Sequence, residues 1–269
     1  VTHNYKSCLL VFNNSKIFDF SHFLSLMLLM FFGGSYAVTI HILTIQFIYR
    51  YWALFKSYNV KKYFDTFQNA LLWFASCVIC FTSWSGFLYL GKPSEYLNDY
   101  MRSEIKQFYG RNIEDISYLA AVVETRSEDL NWRGFVGLVG LLTITISHYI
   151  TIAIYGVNMY WKMNDTLSSL SDHIQAVHKQ LLKTLMIQIA VPTILVFLPM
   201  ISVFIIPFLG LNVSIPMSPF ISSLSIYPAI DGIVVLYFIE DYRNAVIATW
   251  HHAKRPFRLP NMRFMCTTI

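Results

Sequence analysis

Residues 184–230 read TLMIQIAVPTILVFLPMISVFIIPFLGLNVSIPMSPFISSLSIYPAI, without one Asp, Glu, Lys or Arg. A membrane-spanning helix needs about 20 apolar residues. This tract is therefore long enough to cross a bilayer twice, and Gly210, Asn212, Pro216 and Pro219 place a turn signal in its middle. Residues 21–49, 66–91 and 134–161 are equally free of charge, and each is long enough to cross once. Hydrocarbon accounts for the missing charge, because an ionised side chain at the bilayer centre costs at least ~2.5–3.5 kcal/mol. Over all 269 residues, 55% are hydrophobic and 13% are charged; soluble domains carry roughly 25% charged residues. Barrel strands would be short and alternating, so helices are the remaining way to satisfy the backbone in lipid. The sequence thus predicts an all-α membrane protein, a single helical bundle over residues 1–269. It has about five transmembrane helices, at 21–49, 66–90, 134–161, 184–209 and 216–239.

Orientation follows from the loops. Arg50, Lys56, Lys61 and Lys62 follow the first span, Lys162, Lys179 and Lys183 the third, and five more basic residues lie in the tail, 240–269. Twelve of the 20 basic residues thus share one side, which the positive-inside rule assigns to the cytoplasm. The N-terminus and the loop 92–133 are then extracellular, and Asn13-Asn14-Ser15 is an outward-facing glycosylation sequon at Asn13. Within the loop, Leu97, Tyr100, Met101, Ile105 and Phe108 recur at helical spacing behind Ser94, a candidate N-cap. A second short helix is expected over 112–123. Such a loop can lid the outer mouth of a bundle.

Polar side chains inside the spans are few: His41, His148, Gln188 and Asp231. They face the bundle interior by default, as interhelical hydrogen bonds or as functional groups. Asp231 follows Pro228, which removes a backbone donor and kinks the helix. Pro192, Pro199 and Pro207 fall near one face of the fourth span and weaken its hydrogen-bond ladder. Cys77 and Cys80 have C-x-x-C spacing within an apolar span and read as buried thiols. His251-His252 has no third ligand nearby. No metal or other cofactor is expected. No basic run suggests nucleic acid. Without a nucleophile motif, a phosphate loop or a paired-acid constellation, an enzyme reading has no support.

Three stretches carry a family resemblance. The first is His41-Ile42-Leu43-Thr44-Ile45-Gln46-Phe47-Ile48-Tyr49-Arg50-Tyr51. The second is Gln180-Leu181-Leu182-Lys183-Thr184-Leu185-Met186-Ile187-Gln188, followed by Pro192 and Pro199. The third is Ser225-Ile226-Tyr227-Pro228-Ala229-Ile230-Asp231, followed by Ile239-Glu240-Asp241-Tyr242-Arg243-Asn244-Ala245. They are similar to the third, sixth and seventh helices of nematode seven-transmembrane chemoreceptors, serpentine receptor class r (Str) or the similar class J group. The loop around 95–123 resembles the family's second extracellular loop.

The resemblance implies a G-protein-coupled receptor fold in which the five spans are helices three to seven, the first two missing or left only as a remnant in Val1–Phe12. It also implies a small, often volatile, odorant-like ligand, a heterotrimeric G protein as partner, and a multi-pass position in the plasma membrane at cilia of sensory neurons. Candidate ligand contacts in the outer halves of the helices are Tyr36, Thr39, Thr143, Ser147, Ser222 and Ser225. The coupling or switch residues are Tyr49, Arg50, Tyr51, Pro199, Pro228, Asp231, Asp241 and Arg243. Tyr49 stands where other receptors carry an acid, so an acid–Arg ionic lock is not expected. No Cys lies at the outer start of the first span or in the long loop, so the usual disulfide there is not expected either. Two rival readings remain: a transporter or ligand-gated channel, for which repeated halves and paired broken helices are lacking, and a truncated receptor without signalling.

Overall fold

A computed structural model describes residues 1–13, 21–123, 131–167, 183–184, 186–211, 214–238, 243–244 and 246, without the side chains of Phe220, Leu224, Ser225, Val235 and Phe238. Helix α1 (His22–Phe55) is followed by the short α2 (Ser57–Phe64) and by α3 (Phe67–Tyr89). The outer segment α4 (Glu95–Tyr109) precedes α5 (Trp132–Leu167), and α6 (Met186–Leu209) and α7 (Ser218–Phe238) complete the order. Among the described residues, four helices are long and apolar enough to cross a membrane: α1, α3, α5 and α6. The apolar part of α7, Ile221–Val234, is shorter. Each long helix is apolar around most of its circumference, as lipid on one side and bundle on the other require. Helix α1 is the centre of the packing, against both α3 and α5.

A four-stranded antiparallel sheet closes the end of the bundle at which α1 begins. Its strands are β1 (Thr2–Tyr5), β2 (Cys8–Phe12), β3 (Tyr118–Val122) and β4 (Ser214–Pro216), in the order β3-β2-β1-β4. Tyr5 pairs with Cys8 across the hairpin turn, and Phe12 pairs with Tyr118. The helix expected over 112–123 is therefore corrected: a 3-10 turn at Ile113–Asp115 leads into strand β3. Strands β2 and β3 are buried on both faces and read as continuous apolar runs, which periodicity does not separate from helix, whereas β1 and β4 are short and largely polar. Cys8, Leu10, Phe12, Tyr118, Ala120 and Val122 pack on Leu97, Met101 and Ile105 of α4. Their neighbours Leu9 and Ala121 turn to the bundle.

Helix α4 starts as its sequence suggests, with Ser94 Oγ accepting from Leu97 N at 3.3 Å. It ends at Gly110, whose φ of 64° gives the left-handed cap. The sheet is seated on α5 at Gly134, where an added Cβ would lie 2.0 Å from the Val122 carbonyl oxygen.

Candidate functional site

Beneath the sheet lies a cavity of about 60 Å³, lined by Thr2, Leu9 and Val11 from the strands and by side chains of α1, α3, α6 and α7. Its wall is almost wholly apolar: Phe32, Trp84, Met200, Val203 and Phe204 dominate. Tyr36 of α1 also lines it, held edge-on to Trp84 with ring centroids 5.3 Å apart. The Tyr36 hydroxyl is buried and has no hydrogen-bond partner. A buried hydroxyl left unpaired costs about 1–3 kcal/mol, so it marks a place where an incoming polar atom is favoured.

The other expected ligand contacts lie elsewhere. Thr39, Thr143, Ser147 and Ser222 are on exposed faces of their helices and do not line the cavity. Three of them bond back to their own helix: Thr39 to Ser35 O at 3.0 Å, Ser147 to Ile144 O at 2.9 Å and Ser222 to Ser218 O at 2.9 Å. The Ser225 side chain lies outside the described residues. The strand residues Thr2, Leu9, Val11 and Leu119 were missed by sequence reasoning. Only alternation in an unrecognised strand would have flagged them.

The lid is locked by a polar cluster. His3 of β1 is 0% exposed; its Nδ1 meets Tyr109 Oη at 3.1 Å and its Nε2 meets Glu104 Oε1 at 3.3 Å. Ser214 of β4 lies 3.0 Å from the same His3 nitrogen and donates to Glu104. Burial lowers the His3 pKa below its ordinary 6.5, with Glu104 acting in the opposite direction. The closed lid thus disfavours a proton on His3, and the opened chain takes one up more readily. Lid stability from this source is fully present above about pH 6.5 and falls as the pH drops below it. Acidification from about pH 7 to about pH 5 is expected to lower the melting temperature, and His3→Gln to flatten that slope. An unchanged slope in the variant would contradict this account.

Helix α6 connects the lid to the other end of the bundle. Pro207 has no N–H to give the Val203 carbonyl, and Asn4 Nδ2 of β1 donates to it instead, at 3.1 Å. Pro199 likewise leaves the Leu195 carbonyl, and Ser223 Oγ of α7 donates to that one at 2.8 Å. Between the two lie cavity-wall residues Met200 and Val203. Just before Pro199, Thr193–Phe197 forms a π-helical turn, a wider ring than the α-helix and a common mark of functional helices.

At the far end, Arg50 donates to Gln188 Oε1 of α6 and acts electrostatically on Tyr227 and Asp231 of α7. Lys162 of α5 donates to Tyr51 Oη at 2.7 Å. Tyr49 is exposed and packs on Phe64 of α2, ring centroids 5.1 Å apart. Pro228 lies inside α7, and Arg243 donates to Tyr237 O at 3.4 Å. Asp241 lies outside the described residues. Asn13 is half-buried just after β2, its backbone N–H donating to Ser117 O at 3.3 Å; Asn14 and Ser15 of its sequon lie outside the described residues. Cys8, Cys77 and Cys80 are free thiols.

An α6 that is broken at prolines, bordered by a lidded apolar cavity at one end and an Arg-centred polar cluster at the other, is an arrangement suited to transmission through a bilayer. The family comparisons agree. Residues 1–247 match the model of the serpentine type 7TM GPCR chemoreceptor Str. The chain is 30% identical over 252 residues to the G-protein coupled receptor str-33 of Caenorhabditis elegans, covering 91% of this chain and 72% of that protein. It is 26% identical to the serpentine receptor class r-10 of the same nematode, covering 86% and 69%, and 22% identical to serpentine receptor class J-38, covering 97% and 79%. No solved structure matches it. The chain belongs to the Str family of serpentine seven-transmembrane chemoreceptors, non-enzymatic membrane receptors of the G-protein-coupled type.

Proposed function

We propose that this chain is a chemosensory receptor for a small, mostly apolar organic molecule carrying one hydrogen-bond acceptor. The observation that carries this reading is the cavity beneath the sheet, together with the buried, unpaired hydroxyl of Tyr36, one of its lining residues. An apolar wall with one polar fixing point suits such a ligand. The cavity in this state holds only a few heavy atoms, so a larger ligand must part the walls. Met200, Val203 and Phe204 belong to α6, whose ladder is already broken by proline. Parting them moves α6 more easily than the other helices. A ligand that prefers the parted packing shifts the population toward it. Gln188 moves with α6, and the Arg50 cluster opens toward a heterotrimeric G protein. The receptor acts in the plasma membrane, at sensory cilia.

The test is G-protein turnover in cells expressing the receptor, scanned across volatile ketones, ethers and esters and their hydrocarbon analogues. Tyr36→Phe is expected to weaken the response to acceptor-bearing ligands roughly tenfold, one hydrogen bond's worth, while hydrocarbons are unaffected. Equal loss for both classes would remove Tyr36 from the site. A ligand-evoked current in cells without G proteins would favour the channel reading instead.

A further inference from the structure

We propose that His41, Cys80 and His148 form a binding site for a single soft monovalent metal ion, Cu⁺, in the middle of the bundle. The three residues come from α1, α3 and α5, and their ligand atoms all lie within 4.8 Å of one another. Nothing in the sequence spacing reveals this, since His41 and His148 are 107 residues apart.

The hydrogen bonds around the two rings point to an electrophile between them. His148 Nδ1 lies 2.7 Å from the Ile144 carbonyl oxygen, which only accepts, so that nitrogen carries the proton. His148 Nε2 therefore presents a lone pair, 2.9 Å from His41 Nδ1. On its outer side, His41 Nε2 lies 2.9 Å from Ser76 Oγ, and Ser76 lies 2.7 Å from the Trp73 carbonyl oxygen. With Ser76 donating to that carbonyl, His41 Nε2 donates to Ser76; in the other tautomer Ser76 donates to His41 Nε2 and His41 Nδ1 donates to His148. In the first arrangement both rings turn N–H groups outward, in chains ending on main-chain carbonyls, and present lone pairs to each other. This is the outer support that metal-bound histidines show. Two facing lone pairs at 2.9 Å repel unless a proton or a metal ion lies between them.

Cys80 decides for the metal. A shared proton needs no third ligand, yet Cys80 Sγ sits beside the pair, its thiol directed at the Ala37 carbonyl at 3.6 Å. Two imidazoles and one sulfur suit a soft d10 ion. With bonds of about 2.0 Å to nitrogen and 2.3 Å to sulfur, trigonal ligands stand roughly 3.5–3.7 Å apart. The His–His gap must open by about half an ångström to reach that spacing. On binding, the thiol releases its proton to solvent, and so does any proton held between the rings. Cu⁺, one thiolate and two neutral imidazoles sum to zero charge, whereas Zn²⁺ would leave one positive charge in hydrocarbon. Such an ion pins α1, α3 and α5 together.

The full chain, reduced and reconstituted in lipid nanodiscs, is titrated with Cu⁺ against a chromophoric Cu⁺ chelator. One Cu⁺ per chain is expected. His148→Gln and Cys80→Ser should each weaken binding at least 100-fold, Ser76→Ala roughly 10–100-fold, and Cys77→Ser not at all. Thermal melting of each variant separates lost ligation from lost folding, and Cu⁺ should raise the melting temperature of the native chain but not of Cys80→Ser. No Cu⁺ uptake by the native chain overturns the proposal in favour of a shared proton. Uptake undiminished in both His148→Gln and Cys80→Ser overturns it as adventitious.

Discussion

Replacing Arg50 by Ala is expected to abolish ligand-evoked G-protein turnover while ligand affinity stays within about threefold, under 1 kcal/mol. The cavity and Arg50 lie at opposite ends of the bundle, so the substitution leaves every cavity-lining side chain in place. What it removes is the one guanidinium that donates to Gln188 and acts on Tyr227 and Asp231. Arg50→Lys should rescue poorly, because a point charge does not reproduce the fork. Gln188→Leu gives the complementary outcome. A hydrogen bond to a charged group is worth about 1.5–3 kcal/mol; if it holds the resting packing, its loss raises basal activity roughly tenfold or more. Normal signalling by Arg50→Ala, or a large loss of binding, would break the assignment. Both measurements need only radioligand or fluorescent binding alongside turnover in the same membranes.

Gly134→Ala is expected to lower stability by about 1–3 kcal/mol, and Gly134→Val by more. An added Cβ would sit 2.0 Å from the Val122 carbonyl oxygen and under 3 Å from that residue's carbonyl carbon and amide nitrogen. Backbone of a paired strand cannot rotate away as a side-chain tip does, so β3 must lift from α5. Leu119 then leaves the cavity wall, and ligand response should fall with the melting temperature. Gly86→Ala is the control, since its added Cβ would meet nothing within 4 Å. Equal melting temperatures for the two variants would show that the sheet is not seated there.

Both substitutions act on features that the sequence does not display equally. The spans were legible because hydrocarbon excludes charge, a rule that acts on each residue independently of its neighbours. The Ser94 cap and the Leu97, Met101, Ile105 stripe of α4 were legible for a similar reason, being set within one turn of helix. The sheet was not. Its strands are short, the central ones buried on both faces, and they are drawn from residues as distant as Thr2 and Pro216, so neither alternation nor proximity announced them. Tyr36, an expected ligand contact in the outer half of α1, lines the cavity, and its role there is a proposal. Thr39 lies three residues further along the same helix, on an exposed face, because helical rotation rather than depth decides which way a hydroxyl points.

The amino-acid sequence by itself determined that this chain lives in lipid, how many apolar tracts it has, and which end carries Arg50, because transfer of a side chain from water to hydrocarbon is a property of that side chain. Only the tertiary structure decided what the polar residues meet. Asn4 finds the carbonyl that Pro207 cannot bond, Ser223 the one that Pro199 cannot, and His41 finds both His148 and Cys80. Such meetings depend on the rotation and register of whole helices against one another, which the packing of all their side chains sets together.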